Sequence, residues 1–253
     1  MRTDTAGLFK RIPALLPPGS KPATSAEVKR LYSVIGGGPG ERPGVRRYSM
    51  LYANTVQVAR TMNLGEILAI LESELALYVA ERAYRRIFVH AGVVGWRGKA
   101  ILVPGSTMSG KTSLVAALLR AGATYYSDEY AVLDERGSVH PFPRPLSIRE
   151  EEGALSTKRP AADFGARTGS KPIPIGLVAV TKYKEGATFK PRRQSDGRAV
   201  LELLAHTVPA RREPRRVFTT LSRAVSGVPV LKGARGEADR VAIALIKRLD
   251  AHG

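Results

Sequence analysis

Val103-Pro-Gly105-Ser-Thr-Met-Ser-Gly110-Lys111-Thr112 decides how this chain is read. The run satisfies Gly-x4-Gly-Lys-Ser/Thr without a gap. Lys99-Ala-Ile-Leu-Val103 before it reads as a short buried strand, and Leu114-Val-Ala-Ala-Leu-Leu119 after it reads as a helix. A strand, a glycine loop and a helix N-terminus form an anion site, because the first N–H groups of a helix lack intrahelical acceptors. Gly105 and Gly110 allow the backbone to turn tightly and approach phosphate oxygens. Ser106, Thr107, Met108, Ser109 and Ser113 are expected to complete the wrap around a nucleotide's phosphates. Lys111 is placed to reach the β/γ-phosphates, and the Thr112 hydroxyl to ligate Mg²⁺.

Working outward, Ile87-Phe-Val-His-Ala-Gly-Val-Val94 and Lys99–Val103 flank Gly95-Trp-Arg-Gly98 and predict a β-hairpin leading into the loop. Gly122 is a natural helix C-cap. Two strand-like runs within Ala123–Leu133 surround Asp128-Glu129, and Asp134-Glu-Arg-Gly137 reads as another turn. Ile175–Tyr183 is a further strand. Helices are expected over about 197–206, 214–225 and 236–250. Upstream, Tyr48–Val58 is rich in strand formers, and Asn63 caps a helix from about Leu64 to Tyr84, with Glu66 at the capping-box position. Hairpins crowd the loop, so the expected fold is α/β: a P-loop core with a mixed, hairpin-rich β-sheet flanked by helices. Breaker clusters at 15–20 and 36–43 predict an irregular N-terminal arm over 1–45, with one short helix near Ala26–Tyr32. Residues 46–253 then form the main domain, with 85–150 as the nucleotide-binding core. Residues 150–174, polar and punctuated by Gly and Pro, read as a long mobile loop.

A strand-end carboxylate one strand–helix–strand unit past the loop can hold Mg²⁺, and a second can accept a proton from an attacking hydroxyl. Asp128 and Glu129 are those candidates, with the two jobs left open between them. His90 lies on the strand that the hairpin returns beside the loop. Arg144 and Arg149 are candidates to meet substrate or phosphate.

The chain has 253 residues, enough for one large domain or two small ones. No apolar run approaches the ~20 residues that span a bilayer. The N-terminus lacks the apolar region of a secretory signal, and with no cysteine, disulfides and cysteine-based metal sites are excluded. The expectation is a cytoplasmic protein. The formal charge of +18 favours acidic partners. Aromatics are sparse, however, and no stacking platform interleaves with the basic residues, which argues against a nucleic-acid enzyme.

Val89-His90-Ala, Ala100-Ile-Leu-Val-Pro-Gly105, Gly110-Lys111-Thr112, Leu118-Leu-Arg-Ala-Gly122 and Ser127-Asp128-Glu129 together resemble the catalytic domain of HPr kinase/phosphorylase, which shares its core with ATP-dependent phosphoenolpyruvate carboxykinases. The resemblance implies roles in ATP and Mg²⁺ binding and proton transfer for Lys111, Thr112, Asp128, Glu129 and His90. Ser106 and Met108 stand where the family has an acidic residue and a glycine, and Asp-Glu where it has Asp-Asp. The chain looks closer to short HPr-kinase-like proteins that phosphorylate a serine on a peptide. What this implies is a Mg-ATP-dependent kinase acting on a hydroxyl of a peptide, protein or small molecule. The alternatives are an ATP-binding regulatory or scaffold protein, or a nucleic-acid-associated NTPase. A homo-oligomer is compatible with the sequence.

Overall fold

The computed structural model describes residues 1–4, 6–25, 27–39, 44–106, 109–148 and 157–251. They divide into two compact units, Met1–Val79 and Ala80–Gly253.

In the first unit, β1 (Arg2–Thr3), β2 (Tyr32–Ile35), β3 (Ser49–Ala53) and β4 (Val56–Thr61) form one sheet in that order, with β1 and β2 parallel and the rest antiparallel. Tyr32, Val34 and Leu51 bury one side of it together with Leu8 and with Ile67, Leu68 and Leu71 of helix α1 (Leu64–Arg82). The boundary expected at residue 45 is therefore corrected to one near Val79, because part of the supposed arm supplies two strands of this sheet. The short helix expected near Ala26–Tyr32 does not form over the described residues 27–32. The Leu31 backbone is committed elsewhere: its N–H donates to the Asn54 side chain (2.9 Å), and its carbonyl accepts the Asn54 N–H (2.7 Å). Asn63 caps α1 as expected, accepting the Gly65 N–H at 2.8 Å. Glu66 instead accepts the Thr61 hydroxyl (2.8 Å), and that hydroxyl oxygen in turn accepts the Asn63 N–H.

The second unit is built on an eight-stranded mixed sheet. Its strands are β5 (Ile87–Trp96), β6 (Lys99–Pro104), β7 (Thr124–Ser127), β8 (Tyr130–Leu133), β9 (Val139–His140), β12 (Ile175–Tyr183), β13 (Arg192–Arg193) and β14 (Val230–Arg235). The order is β9-β8-β5-β6-β12-β14-β13, with β7 also pairing β5. β6, β12 and β14 run parallel, and the hairpin β5–β6 antiparallel. Alternation along β6 explains the layers. Ile101 and Val103 point to one core with α2 (Lys111–Arg120) and α5 (Ala238–Asp250). Ala100 and Leu102 point to the other, with α3 (Asp196–Leu204) and α4 (Pro214–Val225). A strand covered on both faces needs the unbroken apolar run seen at 100–103. Among the described residues, no helix is long and apolar enough to cross a membrane.

The mobile loop expected over 150–174 is corrected for the residues described. A strand, β11 (Thr157–Arg159), pairs with β10 (Leu146–Ile148), and Ala161–Phe164 forms a 3-10 turn. The sheet edge then captures the chain: Tyr125 donates its N–H to the Arg167 carbonyl, and Gly169 donates its own to the Tyr125 carbonyl, both at 2.8 Å. Residues 150–156 of that loop lie outside the described residues.

α2 packs very closely on β5. A Cβ built on Gly92 would lie 2.4 Å from Val115 Cγ2, and Val115 is fully buried. A β-branched side chain in a helix has little rotamer freedom with which to yield. Gly92→Ala is thus expected to destabilise the protein by about 1–3 kcal/mol. Adding Val115→Ala should recover part of that loss in thermal melts; two purely additive losses would disprove the contact's role.

Candidate active site

The site assembles where β6 ends, between α2 and the turn joining β7 to β8. The Gly105 N–H donates to the His90 carbonyl at 3.2 Å, tying the start of the loop to the neighbouring strand β5. Gly110 precedes α2 with φ +82°, a left-handed conformation natural to glycine, and among the described residues no side chain caps the helix. The helix N-terminus is therefore open to an anion. Lys111 folds back over the loop, its Nζ donating to the carbonyls of Gly105 and Ser106, both at 2.7 Å. Among the described residues, the buried Ser109 Oγ has no hydrogen bond. Thr107 and Met108, two of the expected phosphate-wrapping residues, and the candidate Arg149 lie outside the described residues. Ser106 and Ser113 are exposed.

Both carboxylates are presented by a turn that Ser127 organises. Its Oγ accepts the N–H groups of Glu129 (3.3 Å) and Tyr130 (3.0 Å). Asp128 reaches across to α2, where its Oδ2 accepts the Thr112 hydroxyl at 2.9 Å. Its Oδ1 is buried with no hydrogen bond. Burial pushes the Asp128 carboxyl up to about 6, against the opposing pull of Thr112, Lys111 and the Ser147 backbone. Burial also raises Glu129, while Arg144, donating to Glu129 Oε2 at 2.8 Å, draws it down. Arg144 is itself fixed in place, its carbonyl accepting the Tyr125 hydroxyl at 2.6 Å.

His90 sits between the loop and this turn, its ring 4.6 Å from that of Tyr130. Burial holds it below the ordinary histidine value, with Lys111 and His206 pushing the same way. The ring is therefore neutral near pH 7. The structure thus brings Gly105, Ser109, Gly110, Lys111, Thr112, Asp128, Glu129, His90 and Arg144 into one neighbourhood.

Two neighbours lie outside the sequence reading. His206 follows α3, and its carbonyl accepts the His90 N–H at 2.7 Å. Burial and Lys111 hold its ring below the ordinary value too. Arg235, the last residue of β14, is 2% exposed and donates to the Gly110 carbonyl at 2.6 Å. Its one sequence signal was its place at the C-terminal end of a strand that precedes a helix, where α/β sheets bind ligands.

The donor set fits Mg²⁺. Thr112 Oγ and Asp128 Oδ1, which has no hydrogen bond among the described residues, are hard oxygens beside the glycine loop, and Mg²⁺ commonly takes one or two protein oxygens and completes its shell with phosphates and water. Among the described residues no cluster of three His, Cys, Asp or Glu side chains suits a metal held by protein alone.

No protein-family model matches the sequence, and no curated protein does. Among solved structures, the Hpr(Ser) kinase/phosphatase from Coxiella burnetii is similar over 66% of this chain and 99% of its own, at 15% identity and a TM-score of 0.35. So loose a superposition transfers no residue's role.

Proposed function

We propose that this protein is a Mg-ATP-dependent kinase transferring the γ-phosphoryl group to a hydroxyl, most simply a serine, of a peptide, protein or small molecule. One observation carries the reading: half-buried Asp128 accepts the Thr112 hydroxyl beside the Lys111 loop, and among the described residues its buried Oδ1 has no hydrogen-bond partner. A buried carboxylate oxygen without a hydrogen bond is costly unless a cation completes it.

In this reading the open N–H groups of α2 and the Lys111 ammonium hold the β- and γ-phosphates. Thr112 and Asp128 hold Mg²⁺, which would offset charge on the phosphate oxygens. Glu129, steered by Arg144 and raised by burial, accepts the hydroxyl proton as the acceptor oxygen bonds to the γ-phosphorus and the bond to ADP breaks. His90, neutral, shapes the wall beside Lys111 without adding a competing cation.

The test is transfer of label from γ-labelled ATP to serine-containing peptides. Label should appear on the hydroxyl, and Glu129→Gln should slow it about a hundredfold with the KM for ATP unchanged. Tight ATP binding with no transfer to any acceptor would favour a regulatory ATP-binding protein instead. Hydrolysis stimulated by nucleic acid would favour the nucleic-acid-associated NTPase.

A further inference from the structure

Among the described residues Arg235 makes two hydrogen bonds and one ring contact, and no ion pair with a carboxylate. Its guanidinium donates to the carbonyls of Gly110 (2.6 Å) and Gly236 (3.0 Å), and lies 5.5 Å from the centre of the Tyr183 ring. Its Nε is buried with no hydrogen bond. Glu237, close enough to act on it electrostatically, is exposed and takes the Tyr183 hydroxyl at 3.3 Å. Among the described residues no carboxylate forms a salt bridge with this cation. A charge so deeply buried is expensive without a counter-charge. The fit against the loop is close as well: a Cβ on Gly110 would lie 2.4 Å from the guanidinium nitrogen.

We propose that Arg235 is a positioning residue of the phosphate site, and that polyphosphate in the loop is its counter-charge. It grips the Gly110 carbonyl, which fixes the left-handed turn and aims the N–H groups that follow toward the cradle. Its charge then adds to that of Lys111 from behind the loop, without touching the ligand. This rests on the phosphate-binding reading of the loop and adds to it a second, indirect cation drawn from a different strand. A cation behind the loop draws a highly charged anion more strongly than a neutral ligand, so the ligand class it favours is a polyphosphate chain.

The experiment measures binding of inorganic tripolyphosphate, with EDTA present, to the wild type, Arg235→Met and Arg235→Lys, beside melting curves with and without ligand. Arg235→Met should weaken binding at least tenfold, while its ligand-free melting temperature stays level or rises because an uncompensated charge is gone. Arg235→Lys keeps the charge but loses the planar fork, and should weaken binding about threefold. In turnover assays the KM for ATP should rise more than kcat falls. If Arg235→Met binds as the wild type does, the assignment is wrong although the loop still binds phosphate. If the wild type binds no tripolyphosphate, both readings fall. Equal loss of melting temperature with and without ligand would mark a purely structural role. Should Arg235→Met not fold, the lysine variant decides by the same criteria.

Discussion

Replacing Lys111 with methionine is expected to cut phosphotransfer from ATP by at least about a thousandfold while leaving the fold intact. In this structure the ammonium donates to the Gly105 and Ser106 carbonyls and so is held over the loop that the proposed reading assigns to phosphate. Burial lowers its proton affinity, and Asp128 and Glu129 oppose that only in part; in the proposed reaction its charge would lie where negative charge builds up. Removing one such preorganised donor typically costs two to three orders of magnitude in rate, and a full charge is the stronger case. Methionine preserves the apolar stem as far as Cε, and Ser106 is exposed, so its freed carbonyl can turn to water. The checks are kcat/KM for ATP and a thermal melt. A variant that keeps more than a tenth of wild-type activity would show that this loop is not the catalytic site.

Asp128→Asn should separate stability from activity in opposite directions. The carboxyl is raised from 3.8 to about 6 by burial. A group held above its ordinary value favours the fold in its protonated form. That contribution is complete below 3.8 and is lost as pH climbs through about 6. The ligand-free wild type therefore carries an unfavourable charge at neutral pH, worth about 2–3 kcal/mol at one pKa unit per 1.4 kcal/mol. Asparagine can still accept the Thr112 hydroxyl but never ionises. In EDTA at pH 7–8 the variant should melt several degrees higher than wild type, and the gap should close as pH falls toward 4. His90 and His206, both held low, act oppositely, so the difference between variant and wild type is the quantity to follow. Phosphotransfer should drop about a thousandfold. A variant that melts at or below the wild type at pH 8 would contradict the account of Asp128.

Most of the second unit was legible locally. The unbroken apolar run at 100–103 announced a strand covered on both faces, and Gly105 to Thr112 with the helix behind it announced the loop. The turn at Gly95–Gly98, with Arg97 and Gly98 both at positive φ, announced the hairpin that brings His90 alongside. Asp128-Glu129 was findable because one helix and one short strand separate it from the loop. What escaped depended on distant pairing. Arg2–Thr3 is a strand only because Ser33 and Val34 lie beside it, and Tyr32–Ile35 is too short to stand out between breaker clusters. Arg235, between Ala234 and Gly236, looks like an exposed basic residue until two parallel pairings carry β14 to the loop's side. His206 is brought to the site by the backbone bond to His90, a pairing of residues far apart in sequence.

The close seat of Gly92 against Val115 has a consequence for the thermodynamics of ligand capture. That contact seats α2 on the strand that carries His90 two residues earlier, so the helix and the histidine share one packed support. Under the proposed function, the entropy of arranging them would be spent during folding rather than when a nucleotide binds. Association should then show little of the ordering penalty that a floppy pocket incurs.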